Sequence, residues 1–193
     1  MMVAFVRNGC LAGLLVTAMA GCVGITPVTG PLDVDGAYRI TLGETWSAYP
    51  RDTRTKLRNL TIDGDALNSL TFAASLEDGH TLIKTYDRER LLPVYRSDMS
   101  QTEVVEFIRD SLSVGGMADA TITSLRPEPF GPLEGVRFDV TGATQRGLNM
   151  SGTGKAAIED GKLHLIIYTA PTEYYFELHE YEVNEILGSI ELL

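Results

Sequence analysis

The pair Asp160-Gly161 constrains this chain most, because it separates two runs of strand character at residues 150–158 and 163–168. Asp-Gly tolerates positive φ at both positions, which a tight hairpin requires. A hairpin in turn fixes antiparallel pairing, since parallel neighbours need a crossover of about a dozen residues. The same dipeptide recurs as Asp78-Gly79 in EDGH, between runs at 70–76 and 81–85, and predicts a second hairpin. Further strand patterns cover 38–42, 57–62, 121–125 and 135–141.

Two segments have helical character. In SQTEVVEFIRDSL, Ser100 and Glu103 have capping-box spacing, and Val104, Phe107, Ile108 and Leu112 form one apolar stripe. Gly115 and Gly116 end it. In PTEYYFELHEYEVNEILGSI, Pro171 and Thr172 mark a start, Gly188 marks an end, and Phe176, Val183, Leu187 and Ile190 share a face. These elements predict an α+β class, an antiparallel β-sheet flanked by helices, in a single domain over 37–193. A chain of 193 residues with 44% apolar content has room for that one core.

The last helix is also apolar on a second side. Tyr174, Leu178 and Tyr181 lie opposite Phe176 and Val183, flanked by Glu177 and Glu185. Such a helix is either covered twice within its domain or offers a patch to something else. The loop RPEPFGPLEG adds Phe130, held between Pro129 and Gly131 in a stiff turn expected to be exposed. Tyr174, Leu178, Tyr181 and Phe130 are the candidate partner contacts; the alternative is ordinary packing.

The opening AYRITLGETWSAY, a hydrophobic strand followed by a short turn and Trp46, and the closing EILGSIEL resemble the PsbP-like fold over residues 37–192. The resemblance implies a central antiparallel sheet covered by helices. It also implies a group used mostly for binding and assembly, some of whose members are bacterial envelope lipoproteins. It supplies no catalytic signature, and likeness of fold does not establish function.

Ahead of the domain, residues 3–20 carry Arg7 near the start, an apolar stretch from Cys10 to Ala20, and small residues at its end. This is the build of a secretory signal. Arg7 and Asn8 leave the uninterrupted run short of the about 20 apolar residues a spanning helix needs. Met19, Ala20, Gly21 and Cys22 resemble a bacterial lipobox, which implies a signal peptide of 1–21 and acylation of Cys22 as the mature N-terminus. Ala18 and Ala20 also form an A-x-A site, at which ordinary signal peptidase would cut before Gly21. The chain has two cysteines, and Cys10 leaves with the signal, so Cys22 has no intramolecular disulfide partner. Acylation gives that residue a use, and each buried methylene adds about 0.8 kcal/mol of anchorage. Val23 follows where an aspartate would imply inner-membrane retention, so the expected location is the outer membrane facing the periplasm. Residues 22–36, broken by proline and glycine, read as a flexible tether with a reach of about 20 Å.

The formal net charge of -10 repels phosphate backbones, so no nucleic-acid partner is expected. The one basic cluster, Arg51, Arg54, Lys56 and Arg58, reads as a solvated face, with an acidic partner or lipid headgroup as the alternative. None of His80, His164 and His179 begins a metal-ligand spacing, and neither a metal nor any other cofactor is expected. His179 with Glu182 three residues on is conceivable as a general base with an orienting carboxylate. A partly buried histidine bonded to backbone is the commoner outcome. GLNMSGTGK fails the phosphate-loop spacing, because Lys155 is followed by Ala156, and no G-x-S-x-G elbow occurs.

The expectation is therefore a lipid-anchored envelope lipoprotein acting as a binding or assembly module without catalysis. Its partners would be the membrane, through lipid on Cys22, and an envelope protein. The alternative is a small-molecule or lipid-binding module with a cleft between sheet and helix, lined by Trp46, Tyr38 and Phe138. Intact-mass measurement of the mature protein should give a chain beginning at acylated Cys22. A mass beginning at Gly21 without acyl addition contradicts the anchor.

Overall fold

Asp160 and Gly161 adopt φ of 49° and 72° and join two long antiparallel strands, as their dipeptide requires. The computed structural model describes residues 24–50, 57–85 and 89–193; the signal segment, Cys22, Arg51, Arg54 and Lys56 lie outside them. Within the described residues the strands are β1 (Thr26–Val34), β2 (Tyr38–Ala48), β3 (Leu57–Thr61), β4 (Ser69–Leu76), β5 (Met117–Pro127), β6 (Gly135–Thr144), β7 (Asn149–Glu159), β8 (Lys162–Pro171) and β9 (Glu191–Leu192). The helices are α1 (Gln101–Gly115) and α2 (Glu177–Gly188). The strands form one antiparallel sheet in the order β1-β2-β3-β4-β8-β7-β6-β5, with β9 added on β2. This is the α+β architecture expected from the sequence.

Each face of the sheet carries its own core. On one, Leu70, Phe72, Ile166 and Tyr168 pack under β2 and α2, against Trp46, Ile40, Val183 and Ile186. On the other, Val136, Phe138, Leu165 and Ile167 meet Val104, Phe107 and Ile108 of α1. The capping box of α1 is complete: Ser100 Oγ accepts from the Glu103 amide and the Glu103 carboxylate accepts from the Ser100 amide. Gly116, at φ 120°, ends the helix. The glycines of GLNMSGTGK belong to β7, where a Cβ on Gly154 would sit 2.8 Å from the Phe138 ring.

Three expectations are corrected. Residues 26–34 are an edge strand and not a tether; Leu32 and Val34 are buried against β2, and proline is tolerated on an edge because its missing N–H faces outward. Residues 81–85 form no strand, because both edges of β4 are taken by β3 and β8. The turn at Asp78-Gly79 instead meets Tyr95, whose amide donates to the His80 carbonyl. The last helix starts at Glu177, not at Thr172, because Glu173 (ψ 118°) and Tyr174 (φ 78°) are not helical.

A bulge in β4 has a buried solution. Its register to β8 shifts between Ala73 and Leu76, with Ser75 at φ 54°. The Tyr38 hydroxyl donates to the Leu165 carbonyl at 3.0 Å. His164 Nδ1 accepts from the Ser75 amide at 3.4 Å, and its Nε2 lies 3.3 Å from Glu159 Oε2. A neutral imidazole with its proton on Nε2 satisfies both contacts, whereas a charged one would oppose two donors at Ser75. Burial lowers the His164 pKa below the usual histidine range, outweighing the opposite pull of Glu159. The unfolded chain therefore takes up a proton that folded His164 refuses, so stability is full above about pH 6.5 and falls as pH drops below it. His164→Phe, which keeps ring packing against Tyr38 and Phe130, should flatten the fall in melting temperature between about pH 7 and pH 5. Equal slopes in both proteins contradict this assignment.

Candidate functional site

Strand β2 pairs with β3 only through Ser47 and Ala48, and with β9 only through Tyr38 and Arg39. Between those ends no described strand lies beside that edge, and its amides need other acceptors. Helix α2 supplies them. Ser189 Oγ accepts from the Thr41 amide at 2.8 Å, and Glu182 Oε1 accepts from Gly43 and Glu44 at 2.8 and 3.0 Å. Leu42 pairs with Gly30 and Trp46 with Val28, so β2 carries extra residues that turn two successive amides toward one carboxylate. Trp46 Nε1 also lies 3.5 Å from that oxygen. A side chain at position 43 would collide with Glu182, its Cβ falling 2.6 Å from Oε2.

One turn earlier, His179 Nε2 meets Asp63 Oδ2 at 2.6 Å. Asp63 stands in the β3–β4 loop, where Asn68 Nδ2 donates to the same oxygen and Asn68 Oδ1 accepts from Thr61 and Ile62. Two polar anchors on one stripe thus hold α2 against β2 and against that loop. The conceivable His179–Glu182 pair does not form, and the expected backbone partner of His179 is corrected as well: both side chains are buried on one helix face, but the Asp63 carboxylate holds the histidine and β2 holds Glu182. Nothing in the sequence around Asp63 marks it as a partner, since 116 residues separate the two.

With His179, Glu182, Val183, Ile186 and Leu187 turned inward, the opposite stripe faces out. Tyr174 is 66% exposed, Leu178 50% and Tyr181 77%. Tyr174 has φ 78° and ψ -63°, a γ-turn conformation that is rare and strained for a residue with a side chain. The segment is pinned on both sides of it. Glu173 accepts from Asn149 Nδ2 at 2.9 Å, and the Tyr175 carbonyl accepts from the Tyr168 hydroxyl at 3.0 Å. Phe176 stacks on Tyr168 with ring centres 5.9 Å apart. Glu173, Glu177, Glu180 and Glu185 are exposed around the aromatic stripe, giving an apolar centre with an acidic rim.

Phe130 is not part of this surface. It is fully buried, against Tyr38 at 5.0 Å and His164 at 6.0 Å. The turn closes through paired bonds between Phe130 and Leu133, with Gly131 at φ 58°, and so rolls the ring inward. Lys155 pins it from below, donating to the Pro129 carbonyl at 3.1 Å and pairing with Glu128 at 2.8 Å. Burial raises the Glu128 pKa, but Lys155, Arg137 and Arg126 outweigh it and hold the carboxyl below its usual range. The cleft of the alternative reading, lined by Trp46, Tyr38 and Phe138, does not form: all three are core side chains, and Phe138 lies on the other face of the sheet from Trp46. Cys22 lies outside the described residues.

Removing the Glu182 acceptor breaks the part-buried bonds from the Gly43 and Glu44 amides, and a hydrogen bond to a charged group contributes about 1.5–3 kcal/mol. Glu182→Ala should therefore lower unfolding free energy in urea by about 2–4 kcal/mol, and Glu182→Gln, which keeps one acceptor oxygen, by clearly less. Equal losses in the two variants would refute the acceptor role.

No family model matches the chain, and no curated protein matches it in sequence. Solved structures do. The solution structure of cyanobacterial PsbP (CyanoP) from Synechocystis sp. PCC 6803 aligns with a TM-score of 0.56 at 9% identity, covering 96% of this chain and 98% of that one. The crystal structure of the Saccharomyces cerevisiae Ran-binding protein Mog1p aligns with a TM-score of 0.50 at 10% identity, covering 88% and 96%. At these identities the likeness is one of fold, and the chain has the PsbP-like fold.

Proposed function

We propose that the protein is a non-catalytic binding or assembly module of the cell envelope, anchored by lipid on Cys22 and docking a partner protein through Tyr174, Leu178 and Tyr181. One observation carries the docking site: Leu178 and Tyr181 stay exposed on a helix whose other stripe is committed to the core, and Tyr174, in the turn just ahead of it, is exposed beside them. Surface aromatics are dominant contributors to interfaces when a partner desolvates them. The strained backbone at Tyr174 adds to this, since a cost of about 1–3 kcal/mol is kept where it presents a side chain for use. The acidic rim selects a partner with an apolar pocket bordered by basic groups. Yeast Mog1p, of the same fold, is a Ran-binding protein, an analogy of architecture only. His179 and Glu182 are both buried and hold α2 through Asp63 and β2, and they do not pair with each other as a base with its orienting carboxylate.

The double variant Tyr174→Ala with Tyr181→Ala tests the surface. Its stability should stay within about 1 kcal/mol of the parent, because the rings are largely in water already. Affinity capture from solubilised envelopes should recover a reproducible partner with the parent and lose it with the variant. A variant that unfolds outright, or that captures the same partner equally well, refutes the docking role.

A further inference from the structure

The described residues cover only part of the sheet face opposite α2. Between the C-terminal half of α1 and strands β3, β4 and β8 lies a groove of about 390 Å³. Its apolar walls include Ile108, Leu112, Met150, Leu165 and Ile167. At one end four uncharged polar side chains meet: Asn59 pairs with Thr71 across β3–β4, and Ser69 with Thr169 across β4–β8. These positions share one side of the sheet, and the Ser69 and Thr71 hydroxyls are 3.2 Å apart. The side chains of Asn59 and Thr169 have no hydrogen-bond partner among the described residues.

None of the described residues lining the groove is Asp, Glu, Lys, Arg or His, in a chain that is 22% charged. A charged ligand would leave water here without a counter-ion, at a cost of several kcal/mol. A neutral one loses little and gains apolar contact. The volume falls within the range of about 300–1,000 Å³ typical of small-molecule sites. We infer that this groove binds a neutral amphiphile, with its alkyl body against Ile108, Met150 and Ile167 and an uncharged hydroxyl, ester or amide head against Asn59, Ser69, Thr71 and Thr169. The site is separate from the Tyr174–Tyr181 surface and stands or falls independently of it.

The test is an amide-shift titration of the full chain with 1-monolauroylglycerol below its aggregation limit. Laurate and dodecyltrimethylammonium serve as charged counterparts of equal alkyl length. The neutral probe should give saturable shifts at Thr71, Ile108 and Ile167, and both charged probes should bind about tenfold or more weakly. Thr71→Phe, which fills the groove, should abolish the shifts. Should that variant not fold, Asn59→Leu, at an exposed rim position, should weaken the neutral probe about threefold or more. Tyr181→Ala should leave the titration unchanged. Non-saturable shifts, shifts confined to the Tyr174–Tyr181 face, equal affinity for charged and neutral probes, or an unaltered Asn59→Leu titration would each overturn the assignment.

Discussion

The unpaired edge of β2 is the constraint from which the rest of this face follows. A strand edge covered by a helix needs acceptors for its amides, and here α2 and its C-cap provide them through side chains rather than through a ladder. Glu182 and Ser189 take three β2 amides between them. That arrangement fixes the distance of α2 from the strand and also its rotation, because only one helix stripe can present both groups. The Asp63–His179 contact sets the same rotation from a second direction. Turning the helix to bury Tyr181 would break all of these contacts at once.

Exposure of the aromatic stripe is thus a consequence of how the helix is held, not a lapse in packing. The γ-turn at Tyr174 extends the stripe by one side chain beyond the first residue of α2. Inverting to a regular helical start there would remove the strain but move the Tyr174 ring. The sheet separates this surface from the groove beside α1, so one domain offers an aromatic, acid-rimmed face on one side and, on the other, a groove whose described lining carries no charge. Electrostatics divides them: Glu173, Glu177, Glu180 and Glu185 surround the first, and no described charged residue lines the second.

Much of the fold was legible where the signal is local. Asp160-Gly161, the Ser100–Glu103 box and Gly116 each act through neighbouring backbone, and each did what its chemistry dictates. The exposure of Leu178 and Tyr181 was legible too, because helical periodicity separates the two stripes, whereas Tyr174 is exposed through a turn that periodicity does not foresee. Strand β1 carried a readable signal that its prolines masked: Val28, Leu32 and Val34 alternate, and Asp35-Gly36 ends them with two positive φ values. Non-local choices were not legible. Whether 81–85 or β8 pairs with β4 is decided by packing across the assembled sheet, and nothing within EDGH records that choice. Phe130 misled for a related reason. A proline-flanked turn usually points outward, but here the space between Tyr38 and His164 takes the ring. The acceptor role of Glu182 required knowing that β2 lacks a neighbour, a property of the assembled sheet.

The central claim is that one stripe of α2 is committed to the fold and the other is kept for a partner. Hydroxyl-radical footprinting of the tyrosines reads both halves in one measurement. In the isolated chain Tyr174 and Tyr181 should oxidise rapidly while the buried Tyr38 and Tyr95 stay protected, and in intact envelopes Tyr174 and Tyr181 should become protected as well. Protection of Tyr174 and Tyr181 in the isolated chain, or unchanged oxidation of both in envelopes, would contradict the account.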